Sequence, residues 1–314
     1  MEKFESGKPH KSVLYQQIIL AIRPFSPGRY VDATVGAGGH AAGILETASP
    51  DGELLGLDLD PGALGIASQR LSAYGQRAIL VQASYTTLSE QLAHLGWQTV
   101  HGIVIDLGVS SMQLDTPERG FSFQSDGPLD MRFDPDGPTS AADLTNHLPE
   151  ADLADIIWRY GEDRLSRRIA RAIVQHRPLS STRQLAEIVA RAYGPNKGRI
   201  HPATRTFQAL RIAVNQELQS VEDVLPQAIQ ALEIGGRLAV ISFHSLEDRL
   251  VKQFFRHESK DCICPSEQPI CTCSHKASIR EINRHPIEAE PDETDGNPRA
   301  RSAKLRIAEK IEMA

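Results

Sequence analysis

No apolar run in this sequence approaches the roughly 18 residues that a helical bilayer span needs, so no membrane partner is expected. Residues 1–10 are polar and mixed in charge, and lack the basic-then-apolar order of a secretory leader. The two absences lead to the expectation of a cytoplasmic chain. Aromatic residues are scarce, at 5% of 314 positions, which argues against a ribbon of stacked rings for sequence-tolerant base binding. The net charge of −6 argues against a surface coated throughout in nucleic acid. Cysteine is confined to four positions, all between Cys262 and Cys273. No internal repeat of the kind that builds solenoids is visible.

What is present is a chain with 40% hydrophobic residues, long enough for one large domain or two modest ones. Its first hundred residues alternate short apolar runs with helical stretches. Arg29–Val35, Glu53–Asp58, Ala78–Gln82 and Gly102–Leu107 read as strands, apolar throughout as strands covered on both faces should be. Ala41–Thr47, Pro61–Tyr74 and Tyr85–Leu95 read as the crossover helices between them. This rhythm implies a parallel, doubly wound α/β sheet.

The rhythm stops at Met112. A loop-like mixture of Gly, Pro, Asp and Phe follows, then a helical pattern to about Gln219, and a strand returns only at Gly236–Phe243. Residues 112–215 therefore read as a helical insertion, dividing a core made of 1–111 and 216–314. Arg301–Glu309 alternates polar and apolar residues and reads as an edge strand closing the sheet. Between Arg159 and Arg211 the insertion carries twelve basic residues against Glu162, Asp163 and Glu187. Solvated helix faces would account for a generic charge run. A one-sided, arginine-rich excess suits phosphate better.

The run Asp32-Ala-Thr-Val-Gly-Ala-Gly-Gly-His40 joins a strand to a helix, where a nucleotide-binding turn belongs. Asp58 ends the next strand, placed to accept hydrogen bonds from ribose hydroxyls, while Asp60 is the better candidate to cap the helix at Pro61. A dinucleotide needs G-x-G-x-x-G and a helix N-terminus facing its pyrophosphate. Here the spacing is G-x-G-G, and the third glycine is missing. S-adenosylmethionine carries no phosphate, and an acid such as Asp32 suits its cationic sulfonium and ammonium. The balance favours the methyl donor.

The same loop resembles that of the bacterial ribosomal RNA small subunit methyltransferase H family. Six further blocks, in family order, carry the resemblance: Asp106–Gln113, Glu118–Phe123, Asp126–Arg132, His201–Arg211, Ser242–Arg249 and Asn297–Ser302. The resemblance implies a Rossmann-like class I S-adenosylmethionine-dependent methyltransferase with an inserted helical domain for substrate recognition. It implies methylation of the N4 amine of a cytosine in 16S rRNA, at the decoding centre near the ribosomal P site. It implies cofactor contacts from Gly38, Gly39, His40, Asp58, Tyr85, Asp106 and Gln113. Tyr85, Ala33 and Val35 stand where the family often has Phe, Gly and Phe. The implied partner is 16S rRNA within the small ribosomal subunit, and a homodimer is left open.

Cytosine N4 is a poor nucleophile, and an enzyme can help by accepting its hydrogen bonds and aligning it for in-line displacement. Asp106, ending the fourth strand, is the acid best placed to do so; a contact to the cofactor's amino group is the other reading of the same side chain. Attack from cytosine carbon 5 would need a cysteine near this strand, and none is there. Phe121 and Phe123 suit either a flipped-out base or packing of the insertion. Arg132 suits a phosphate, the cofactor carboxylate, or a pair with Asp130 or Asp134. His244 either lines the pocket floor or is a satisfied buried histidine. Cys262, Cys264, Cys271 and Cys273 either stay reduced, hold structural zinc or form disulfides, the last disfavoured in a reducing cytosol. The chemistry needs no catalytic metal.

Overall fold

The computed structural model describes residues 12–194, 201–268 and 270–312. Along the chain run α1 (Tyr15–Ile22), β1 (Arg29–Asp32), α2 (Gly39–Thr47), β2 (Glu53–Asp58), α3 (Pro61–Leu71), β3 (Ala78–Gln82), α4 (Leu88–His94) and β4 (Val100–Asp106). Six helices follow: α5 (Ser111–Asp115), α6 (Ala141–His147), α7 (Glu150–Gly161), α8 (Ser166–Gln175), α9 (Thr182–Tyr193) and α10 (Ala203–Asn215). The chain returns through α11 (Glu217–Ala231), β5 (Leu232–Ser242), α12 (Ser245–Glu258), β6 (Ile279–Glu281), β7 (Ile287–Glu288) and β8 (Lys304–Lys310), with α13 (Pro291–Gly296) between the last two strands.

The chain divides into two compact units, Met1–Leu107 with Val221–Ala314, and Gly108–Ser220. In the first, the sheet order is β3-β2-β1-β4-β5-β8-β6, with β7 also pairing β8. Strands β1 to β5 are parallel, whereas β8 is antiparallel to β5. This is a Rossmann-like sheet, and its order reverses between β1 and β4. Val31, Leu55, Ile103 and Val240 pack beneath α4, α11 and α12. Tyr30, Leu54, Val104 and Ile241 pack beneath α1, α2 and α3. Burial on both faces is why these strands lack polar alternation.

β8 corrects one expectation. It is not an edge strand, because β6 and β7 pair along its far side. Its polar Arg306 is only 3% exposed and binds Asp248 of α12 through Nε to Oδ1 at 2.7 Å and Nη2 to Oδ2 at 3.2 Å. β1 also ends earlier than expected, at Asp32, where the Asp32 Oδ1 accepts the Thr34 N–H at 3.3 Å and turns the chain.

The second unit has its own core. Leu153 and Ile157 of α7, Ile169 and Ile173 of α8, Leu185 and Val189 of α9 and Leu210 of α10 meet there. No helix among the described residues is long and apolar enough to cross a membrane.

Candidate active site

In a doubly wound sheet, ligands bind beyond the carboxyl ends of the strands, where the order reverses. Here that crevice holds the end of β1 with its loop to α2, and the end of β4. Asp32 and Asp106 end these two neighbouring strands. The Asp106 N–H donates to Thr34 Oγ1 at 2.6 Å, so the loop is tied to β4. Asp58, ending β2, ties it from the other side: its Oδ2 accepts the Gly36 N–H at 2.9 Å, and its Oδ1 accepts the Asp60 N–H at 2.9 Å. Asp60 caps α3 by accepting the Gly62 N–H.

The two glycines before α2 have distinct reasons. Gly38 sits at φ 75°, a left-handed position that a side chain would strain, although a Cβ there would meet Ala67 and Leu71 only at a contact distance of 3.4 Å. At Gly39 a Cβ would lie 1.9 Å from Ser12 Oγ. His40 is buried; its Nε2 lies 2.9 Å from the Val13 carbonyl oxygen, and its ring stacks on Tyr15. Gly39 and His40 thus seat residues 12–15 against α2. Tyr85 follows β3 in a short turn, and β3 is the strand beside Asp58.

The electrostatics of the crevice are one-signed. Asp32 is 1% exposed, and its Oδ2 has no hydrogen-bond partner among the described residues. Burial, aided by the charge of Asp58, pushes its pKa up to about 7 against the opposing Thr34 and Ala41 N–H groups. Asp106 Oδ1 is likewise buried without a partner. Burial first, then the charges of Asp32 and Glu247, hold the Asp106 carboxyl well above the usual carboxylate range. Asp58 is raised too, chiefly by burial, despite its backbone donors. Unpartnered carboxyl oxygens in a crevice are costly unless a ligand repays them. They fit a cation that brings its own donors.

The sequence alone assigns no role to Glu247 or Thr34. Each lay inside a motif, but nothing in the motif tells which side chain faces the strand ends. Glu247 is 1% exposed; its Oε2 accepts the Phe243 and His244 N–H groups at 2.9 and 3.3 Å. His244 is a capping residue: its Nδ1 accepts the Glu247 N–H at 3.3 Å. Its Nε2 is 3.1 Å from Glu247 Oε1 but off-line for a hydrogen bond.

The remaining candidates belong to the second unit. Gln113 is buried there, and its Oε1 accepts the Ser110 N–H at 3.0 Å in a capping box at α5. Phe121 stacks on Phe133 at 5.6 Å, and Phe123 lies 4.7 Å from His201 and 4.9 Å from Phe207. Both rings are used in packing. Arg132 grips Asp130 with Nε at 3.0 Å and Nη2 at 2.6 Å, and gives Nη1 to the Gly137 carbonyl. The pairing reading is therefore the one realised.

The basic residues of this unit differ in their contacts: Arg159, Arg171, Arg183 and Arg191 form exposed pairs with Asp155, Glu150, Asp126 and Glu187. Arg177 donates to the Thr145 and Leu148 carbonyls, and Arg211 binds Glu217 through two 2.8 Å bonds. These two hold the helices together. Arg164, Arg167 and Arg168 are exposed at the start of α8 and have no carboxylate partner among the described residues. Lys197 and Arg199 lie outside the described residues.

Residues 7–311 match the MraW methylase family. The chain is 52% identical, over 96% of its length and 87% of the relative's, to the ribosomal RNA small subunit methyltransferase H of Dehalococcoides mccartyi. Proteins of the same name from Syntrophobacter fumaroxidans and Trichlorobacter lovleyi are each 51% identical; they share 96% and 99% of this chain and 96% and 100% of their own lengths. The solved rRNA methylase of Streptococcus thermophilus aligns with 97% of this chain and 100% of its own at a TM-score of 0.44 and 11% identity. With one family spanning the sheet, the loop and the helical unit alike, this chain belongs to the MraW methylase family.

Proposed function

We propose that this chain transfers the methyl group of S-adenosylmethionine to the exocyclic N4 amine of a cytosine in 16S rRNA, at the decoding centre near the ribosomal P site. The observation that carries the reading is the pair of carboxyl oxygens, Asp32 Oδ2 and Asp106 Oδ1, that have no partner among the described residues and sit on adjacent strand ends. S-adenosylmethionine fits them because its sulfonium and ammonium groups are cationic, and when bound it supplies a methyl group activated for displacement.

In this reading Asp32 faces the positive charge of the donor and is ionised by it. Asp58, already held by the loop, accepts from the ribose hydroxyls with its remaining lone pairs. Tyr85 offers an aromatic face to the adenine beyond β3. The backbone around Gly38, Gly39 and His40 shapes the wall. Asp106 accepts a hydrogen bond from the N4 amine. That bond orients the nitrogen lone pair and favours the positive charge that builds on nitrogen as the N–C bond forms and the C–S bond breaks. The N4 proton, acidic only once that bond has formed, leaves to Asp106 or to water. The absence of any cysteine near the strand ends suits attack by nitrogen rather than by carbon 5.

The names of the relatives support ribosomal RNA of the small subunit as the substrate. The helical unit supplies the recognition surface, with Arg164, Arg167 and Arg168 free to meet phosphates. The test is methyl transfer from labelled S-adenosylmethionine to small ribosomal subunits isolated from cells lacking this chain. Label should appear in 16S rRNA and, after digestion, in N4-methylcytidine. Label in 5-methylcytidine, or none in rRNA, would overturn the proposal.

A further inference from the structure

Between α12 and β6 lies a segment that the methyl-transfer reading does not use. Its ends are tied together: the Ser278 N–H donates to the Glu258 carbonyl at 2.9 Å, and Ser278 Oγ donates to Glu258 Oε2 at 2.8 Å. Between them, no described residue from 260 to 276 is buried. A loop that buries so little apolar surface does not repay the entropy of ordering it. Something other than a core must hold it.

The four cysteines converge there. Cys262 Sγ lies 3.4 Å from Cys271 Sγ and 3.9 Å from Cys273 Sγ, and Cys271 and Cys273 are 3.6 Å apart. With Cys264 included, all four sulfurs lie within 4.8 Å of one another. A tetrahedral zinc with bonds of about 2.3 Å places its sulfurs about 3.8 Å apart, the spacing seen here. Disulfide sulfurs would stand at about 2.05 Å instead.

The backbone is arranged for thiolates. The Ile263 N–H donates to Cys273 Sγ and the Thr272 N–H donates to Cys264 Sγ, both at 3.4 Å. The two Cys-x-Cys segments thus serve each other reciprocally: the middle residue of each donates to the second cysteine of the other. Four thiolates this close repel one another, and a dication at their centre relieves that repulsion.

We propose that Cys262, Cys264, Cys271 and Cys273 bind one zinc ion, which clips the exposed loop between α12 and β6. All-thiolate donors at tetrahedral spacing select a soft, thiophilic metal and reject magnesium and calcium. The closed four-sulfur set leaves no open position, so the ion is structural and not catalytic.

The test uses the full chain without an affinity tag, purified from zinc-supplemented cells without chelators. Elemental analysis should find one zinc per chain, released on titration with a mercurial thiol reagent. The cobalt-exchanged protein should show thiolate-to-cobalt charge transfer and the ligand-field bands of a tetrahedral site. The double variant Cys262→Ser, Cys271→Ser should lose the zinc, and protease should cut it within residues 260–276 at least tenfold faster than the parent. Because the mercurial and cobalt measurements use the unaltered chain, they decide the matter even if the variant does not fold. Less than a tenth of an equivalent of zinc, iron in its place, or zinc retained by a folded double variant would overturn the proposal.

Discussion

The backbone N–H of Asp106 is held by the side-chain oxygen of Thr34 at 2.6 Å, so the end of β4 and the loop after β1 form one unit. Replacing Thr34 by Val keeps the volume but removes the acceptor, leaving a half-buried N–H unsatisfied. The expected cost is about 1–2 kcal/mol of stability. Methyl-donor affinity should fall roughly fivefold to twentyfold, within the same energy range. Calorimetric titration with the donor and a thermal melt, run on both proteins, check the two effects together.

Asp32 makes donor binding depend on pH. In the ligand-free protein its carboxyl ionises near pH 7, and a cationic donor binds the ionised form. Affinity should be about tenfold weaker at pH 6 than at pH 8, and this dependence should vanish in Asp32→Asn. Stability runs the opposite way. Folding raises this group from 3.8 to about 7, so between those values the native state holds the extra proton. Its contribution favours folding at acid pH and is lost as pH rises toward 7. Without donor at pH 8, Asp32→Asn should therefore be more stable than the parent, by up to about 4 kcal/mol.

Asp106 and Asp32 should separate kinetically. Asp106→Asn retains size and hydrogen bonding but can neither take the N4 proton nor carry the negative charge that favours the developing cation on nitrogen. Its kcat should drop about a hundredfold, with the donor dissociation constant changed less than tenfold. Asp32→Asn should show the reverse pattern, a raised donor dissociation constant with a smaller change in kcat. Single-turnover methylation beside equilibrium donor binding distinguishes them.

The arginines of the helical unit should divide as their contacts do. Changing Arg164, Arg167 and Arg168 to Gln should leave the melting temperature within a few degrees of the parent. It should also lower the slope of log affinity for rRNA against log salt by about two. Changing Arg211 to Gln removes its ion pair with Glu217, which is 4% exposed, and should instead cost roughly 3 kcal/mol of stability.

Much of the fold was legible because burial on two faces leaves a plain mark. β2 and β3 were bounded to the residue from their apolar runs alone. The place of β8 was not legible, since Arg306 reads as a solvent-facing residue of an edge strand, and only the buried Asp248 pair accounts for it. β6 covers that strand with three residues, too few to show a period. At the site, the strand-end acids could be found from sequence because they close apolar runs. The roles of Phe121, Phe123, Arg132, Arg177 and Arg211 could not, because stacking and ion pairing inside a helical unit use the same residue types as nucleic-acid binding.

The central claim is tested most directly by nucleoside mass spectrometry of 16S rRNA from cells that carry this chain, lack it, or carry only Asp106→Asn. N4-methylated cytidine should be present in the first and lost or strongly reduced in the other two. An unchanged amount in cells lacking the chain would contradict the account.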